Sequence, residues 1–248
     1  MIYLRINMVL KGKIAVVTGA TGGIGRELVK KLDGEEVRLI ILSKTESELQ
    51  NLLKTLTTKN STYYVCDLSD QEDTEKVAKK ISTDFTTIDL LINVAGIGIY
   101  KTLEEITLDE WNKSMNINLN SVFILIKELI QSLNKTKDSI VISLGSGMGI
   151  KVEAGRSAYC TSKFALRGLM LTLSEEYKRF NNLKFCLLTL GSVLTSFGPM
   201  SFEEKKKDME GGKGYLTPEW VAKKVVEIIK SENREVEYEF SSPDYNKA

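Results

Sequence analysis

Seven short runs dominated by Val, Ile, Leu and Tyr recur along this chain, and each is separated from the next by residues with helical apolar spacing. The runs are KIAVVTG, VRLIILS, STYYVCDL, IDLLINVAG, DSIVISLG, LKFCLLTLG and EVEYEF. Most are apolar at nearly every position rather than at every second one, which suits strands buried on both faces. A sheet covered on both sides and built from strand, helix, strand in strict alternation is a parallel, doubly wound α/β fold. The intervening stretches carry ordinary helix signals: GGIGRELVKKLD follows the first strand, TESELQNLLKTL opens acidic, and TPEWVAKKVVEIIKS places Pro just after a Thr cap. A helix is predicted from about Leu103, a long one through NLNSVFILIKELIQSL and another through AYCTSKFALRGLMLTLSEEYKRF.

At 248 residues with 42% hydrophobic content and no Pro-, Gly- or Ser-rich linker, the chain reads as one domain, residues 1–248. Lys and Arg total 34 against 33 for Asp and Glu, which argues against nucleic acid or an acidic membrane as a partner. Residues 1–10, MIYLRINMVL, carry Arg5 and Asn7 and lack a small-residue cleavage site, so they are not read as a signal peptide. An extra strand, a loose extension and a true start at Met8 all stay open. Cys66, Cys160 and Cys186 are too few and too scattered for a disulfide framework or a zinc site, so a reducing cytoplasm is the expected location and no metal is expected. The chain has no histidine. Ser-His-Asp and Cys-His nucleophilic machinery is therefore excluded, and any acid or base must come from Tyr, Lys, Asp, Glu or Cys.

Two local patterns carry chemistry. The first strand runs into TGATGGIG, residues 18–25, and then into a helix. Glycines at such a turn let the backbone approach a pyrophosphate, whose charge meets the free N–H groups and positive end of the helix. Further on, Tyr159 and Lys163 lie four residues apart in a predicted helix and so share a face. An unperturbed phenol titrates near 10, so forming its anion at neutral pH costs roughly 4 kcal/mol. A neighbouring ammonium lowers that cost.

These patterns sit in an ordered set: TGATGGIG, NVAG at 93–96, Asn118 in NLNSVF, Ser146 in GSGMG, YCTSK at 159–163 and GSVLTS at 191–196. Over roughly residues 11–240 the chain resembles the short-chain dehydrogenase/reductase family, Rossmann-fold enzymes of the Tyr-x-x-x-Lys type. The resemblance implies a catalytic set of Asn118, Ser146, Tyr159 and Lys163. Tyr159 would pass the proton, Ser146 would hold the substrate oxygen, and Lys163 would supply the field and grip the nicotinamide ribose. Asn118 would anchor a water linking Lys163 to solvent. The implied cofactor contacts are Gly19, Thr21, Gly23, Ile24 and Gly25 in the glycine turn, and Asp67 and Leu68 near the adenine. Asn93, Ala95 and Gly96 fall by the adenosine ribose, and Gly191, Val193 and Thr195 by the nicotinamide and pyrophosphate. Val94 replaces a second Asn usual in the family, which implies weaker local hydrogen bonding, and Leu190 replaces a proline, which implies a looser loop.

Ser43, Lys44 and Thr45, at the end of the second strand, offer hydroxyls and a cation where NAD-selective relatives carry an acid. NADP(H) is accordingly favoured over NAD(H), although Gly22 stands where many NADP-dependent relatives have a second basic residue. The polar, glycine-spaced segment 196–215 reads as a mobile substrate lid with Phe197, Met200 and Phe202 as its apolar lining. By the same resemblance the chain reduces a small carbonyl or oxidises an alcohol or hydroxy acid, with a 3-oxoacyl-thioester reductase or a non-catalytic NADP-binding regulator as alternatives. The two long apolar helices imply pairing into a homodimer or homotetramer.

Overall fold

The computed structural model describes residues 8–180 and 182–242. The strands are β1 Ile14–Thr18, β2 Arg38–Ser43, β3 Thr62–Val65, β4 Leu90–Asn93, β5 Ser139–Ser146, β6 Leu183–Leu190 and β7 Glu237–Phe240. The helices are α1 Gly23–Gly34, α2 Glu46–Lys54, α3 Gln71–Asp84, α4 Leu108–Met115, α5 Ser121–Asn134, α6 Ser157–Tyr177, α7 Phe202–Glu210 and α8 Pro218–Lys230. All seven predicted strands are present. They form one sheet in the order β3-β2-β1-β4-β5-β6-β7, with every pairing parallel.

Alternate residues of each strand serve different layers. Ala15, Val17, Leu39, Ile41, Leu90 and Ile92 face α1, α2 and α8, meeting Leu28, Leu49 and Val225. Val16, Ile40, Leu42, Leu91 and Val141 face the other way, toward Val77 of α3, Leu125 of α5 and Leu166 of α6. Both sets are buried, which explains why the strands read as continuous apolar runs. Met8 and Leu10 are buried in the α8 layer, and the Met8 amide donates to the Lys230 carbonyl. The rest of the predicted N-terminal extension, residues 1–7, lies outside the described residues.

The order places β1 between β2 and β4, so the chain leaves these central strands in opposite directions. In open parallel sheets a crevice opens at the carboxyl ends of the strands where the winding reverses. Thr18 pairs with Leu42 on one side and Asn93 on the other at this point. Its hydroxyl accepts hydrogen bonds from the amides of Val94 and Ala95 (3.1 and 3.2 Å), fixing the turn after β4 against the turn after β1.

Two expected boundaries move. The helix expected from Leu103 starts at Leu108, because Thr107 and Glu110 form a reciprocal capping box that satisfies the first free amides. The long helix after it is interrupted by a π-turn, Asn116–Asn120, before α5 begins.

Candidate active site

A cleft of about 1260 Å³ runs along the carboxyl ends of the strands. Its floor at one end is the turn between β1 and α1. Gly19 adopts a positive φ of 61°, where a β-carbon would lie 2.8 Å from the Ala95 Cα. At Gly25 a β-carbon would come within 2.1 Å of the Gly19 carbonyl oxygen, so the turn folds onto the start of α1 only without a side chain there. The result is an open backbone cradle at a helix N-terminus, the arrangement a dinucleotide diphosphate requires. Thr195 closes it from above, its Cγ2 lying 2.7 Å from the position a Gly23 β-carbon would take. Gly19, Gly23, Ile24 and Gly25 all line the cleft, as do Ala95, Gly96, Gly191, Val193 and Thr195.

Ser43, Lys44, Asp67 and Leu68 line the end by β2 and β3. Hydrogen bonds from the Ser69 hydroxyl and amide hold the Asp67 carboxyl below its usual range, and Lys44 and Lys113 add to the effect. Thr21 and Thr45 are half-buried and Asn93 is buried, and none of the three lines the cleft. The Thr21 hydroxyl is 2.8 Å from that of Ser43 and so fixes its direction. Thr45 is the N-cap position of α2. Asn93 is buried, its amide nitrogen donating to Ser143, while its oxygen has no hydrogen-bond partner among the described residues.

Ser146 ends β5 and Tyr159 lies in the first turn of α6; both line the cleft, and the Ser146 hydroxyl accepts from the Met148 amide at 3.2 Å. Burial drives the Tyr159 phenol well above its ordinary range; the nearby Ser146 hydroxyl and the charge of Arg156 pull the other way. Lys163 is 5% exposed and its ammonium donates to the Leu144 carbonyl at 2.9 Å. Burial holds its pKa down to about 8. The Lys163 Nζ lies 5.9 Å from the centre of the Tyr159 ring.

Asn118 falls in the π-turn and is buried. Its amide nitrogen donates to the Ile97 carbonyl and the Ser162 hydroxyl (both 3.0 Å), and its oxygen accepts from the Ile97 amide at 2.9 Å. The side chain thus clamps the loop after β4 against α6. The donors of its side chain are taken up by protein acceptors.

The loop after Leu190 is tied down. The Gly191 amide donates to the Phe240 carbonyl, the Leu194 amide to the Leu216 carbonyl, and the Leu216 amide to the Ser192 carbonyl. Replacing the family's proline has not left this loop without partners. Of the three expected lid linings, Phe197 and Met200 face the cleft; Phe202 does not, and is 40% exposed on α7. A capping box between Ser201 and Glu204 starts α7 within the charged stretch. Lys205 then folds back, almost buried, and donates to the carbonyls of Thr195 (2.8 Å) and Phe197.

Tyr100, Arg156 and Lys205 also line the cleft, none of them singled out by the sequence. The Tyr100 ring meets that of Tyr159 edge-on at 5.5 Å, and the Arg156 guanidinium lies 4.4 Å above Tyr100. Arg156 stands one helical turn before Tyr159, a spacing visible in GRSAYCTSK. Tyr100 has no comparable signal, because a loop brings it in. All three cysteines are free and buried; burial pushes the Cys66 thiol, on the cleft wall, up to about 12 and makes it unreactive. No metal-binding cluster and no helix able to cross a membrane occurs among the described residues.

Residues 13–206 match the family model for short chain dehydrogenases. An uncharacterized oxidoreductase from Staphylococcus saprophyticus is 27% identical over 87% of this chain and 89% of its own length. The 3-oxoacyl-[acyl-carrier-protein] reductase of Haemophilus influenzae is 32% identical over 67% of this chain and 69% of its own. Among solved structures, the alcohol dehydrogenase from the archaeon Thermococcus sibiricus, complexed with 5-hydroxy-NADP, superimposes with a TM-score of 0.81 at 27% identity. It covers 94% of this chain and 97% of that one. With a glycine cradle at the winding reversal and a Ser-Tyr-Lys set beside it, the chain belongs to the short-chain dehydrogenase family and is an oxidoreductase.

Proposed function

We propose that this chain is an NADP(H)-dependent oxidoreductase that interconverts a small carbonyl compound and a secondary alcohol, acting as a carbonyl reductase or an alcohol or hydroxy acid dehydrogenase. The observation that carries this reading is that Ser146, Tyr159 and, one turn on along α6, Lys163 line the same cleft as the glycine cradle. When bound there, the reduced nicotinamide supplies the hydride for the carbonyl carbon. Tyr159 gives its proton to the carbonyl oxygen, and burial keeps the phenol protonated until then. Ser146 holds that oxygen against the phenol. The Lys163 ammonium offsets the charge left on Tyr159 and reaches the ribose side of the cleft.

Lys44 supports the choice of NADP(H). It is exposed at the cleft end of β2, forms no ion pair among the described residues, and stands beside the aligned hydroxyls of Ser43 and Thr21. Such a group suits a 2′-phosphate. The complex of the Thermococcus alcohol dehydrogenase with an NADP derivative agrees with this. Residues 196–215 act as the substrate lid in this reading, with Phe197 and Met200 as its inner surface. A second reading, a 3-oxoacyl-thioester reductase, is favoured by the identity to the Haemophilus enzyme.

The test is turnover of a panel of ketones, aldehydes, oxo acids and 3-oxoacyl thioesters with NADPH and NADH, for the wild type and Lys44→Asp. The expected result is an NADPH preference in kcat/KM that the substitution reverses. An unchanged preference would remove Lys44 from cofactor selection.

A further inference from the structure

The substrate half of the cleft carries a cation next to the reacting tyrosine. From the N-cap of α6 onward the order is Arg156, Tyr159, Lys163. Lys163 points toward the cofactor side, where its Nζ lies 3.7 Å from the position of a Gly96 β-carbon and donates to Leu144. Arg156 stands at the opposite end, at the N-cap of α6, three residues before Tyr159 in the chain. An isolated backbone bridge to Lys101 fixes it there, and its guanidinium is stacked on Tyr100, whose ring in turn abuts Tyr159. A compound whose carbonyl meets Tyr159 therefore extends past Tyr100 to Arg156. Lys151 also lines the cleft. The two acidic residues lining the cleft stand elsewhere: Asp67 follows β3 at the far end, and Glu239 is on the edge strand β7.

The guanidinium already holds a carboxylate. One terminal nitrogen lies 2.7 Å from Glu153, whose side chain is 53% exposed at the rim, and its other N–H groups have no protein acceptor among the described residues. An exposed pair of that kind is weak. A substrate carboxylate held by the cleft and by a bidentate guanidinium contact competes with it readily.

Resting on the oxidoreductase reading above, we propose that Arg156 anchors a carboxylate on the substrate, so that the preferred substrates are short oxo acids and the corresponding hydroxy acids. The carboxylate does not react. It sets which way the carbonyl faces, and a neutral ester or thioester of the same skeleton lacks the anchor.

The test compares each short oxo acid with its methyl ester as substrates of the wild type, Arg156→Gln and Glu153→Gln. Arg156 also influences the Tyr159 phenol, but that influence acts on both members of a pair and cancels in the ratio of their kcat/KM values. The expected result is an acid-to-ester ratio that falls about ten- to a hundredfold in Arg156→Gln, the size of losing a charged hydrogen-bonded contact. In Glu153→Gln the ratio rises, since the competing carboxylate is gone. A ratio unchanged by Arg156→Gln overturns the proposal. Calorimetric titration of a saturated short-chain carboxylate and its amide into the NADPH-loaded protein separates this proposal from the oxidoreductase reading. Preference for the carboxylate that Arg156→Gln abolishes, without turnover of any carbonyl, leaves the anion site standing and contradicts the oxidoreductase reading. No preference in the wild type overturns the anion site.

Discussion

Lys163 is placed where a lysine is costly. It is almost fully buried, its hydrogen-bond acceptor is a carbonyl, and no carboxylate faces it among the described residues. Burial lowers its pKa from 10.5 to about 8 in the fold. Between these values the unfolded chain holds more protons than the folded one, so the wild type gains stability as pH rises through that window; below about 8 the full cost is present. The shift corresponds to on the order of 3 kcal/mol. Lys163→Met removes that cost but leaves the Leu144 carbonyl without its donor, which takes back about 1 kcal/mol. The variant is expected to be inactive yet more stable than wild type at pH 7 by roughly 1–2 kcal/mol, with an advantage that shrinks toward pH 10. Denaturant unfolding of both proteins across pH, without cofactor, measures the difference, in which the other titrating groups cancel. A difference that does not change with pH would mean the lysine is not penalised in the fold. At this scale the sequence was informative where spacing carries the role, as in Tyr159 and Lys163. It was silent on Tyr100, whose position depends on a loop path, and it could not separate Thr21, Thr45 and Asn93, which support the cleft wall, from residues that form its surface.

At the scale of elements, the strands were legible because both faces of each are buried and composition reports burial directly. The π-turn was not, since it depends on one extra residue in a helical ladder rather than on any residue type. The helix α7 carried a readable cap in Ser201 and Glu204, but its charge-rich composition masked the signal. What docks this helix is Lys205, reaching back to the loop that follows β6. Lys205→Met breaks both bonds while keeping the length of the side chain. Amide exchange across 195–210 is expected to accelerate severalfold and, if this segment is the substrate lid proposed above, KM is expected to rise more than kcat falls, because binding common to ground and transition states is weakened. Exchange equal to wild type would show that α7 is held by other contacts.

For the whole molecule, the parallel order and the winding reversal follow from alternating strands and helices under the usual connection rules. Assembly is different, because one chain's sequence reports apolar surface without saying what covers it. The fold buries most of the apolar residues of α5 and α6 but leaves Phe123 49% and Phe164 42% exposed on them. These faces are expected to pair across a two-fold axis, giving a homodimer or a tetramer built from it. Light scattering at micromolar concentration is expected to find no monomer in the wild type and a monomer in Phe123→Glu combined with Phe164→Glu. A monomeric wild type would assign those faces to solvent.

The account as a whole rests on Tyr159 as the group that passes the proton. Tyr159→Phe keeps the ring against Tyr100 and Phe197 and removes only the hydroxyl. The most direct measurement is single-turnover oxidation of bound NADPH by the best carbonyl substrate, alongside NADPH affinity by fluorescence titration, for wild type and variant. The expected result is affinity within about twofold of wild type and a rate lower by roughly 10²–10⁴, the loss of a positioned general acid. Turnover retained at the wild-type rate, with the cofactor bound normally, would contradict the account.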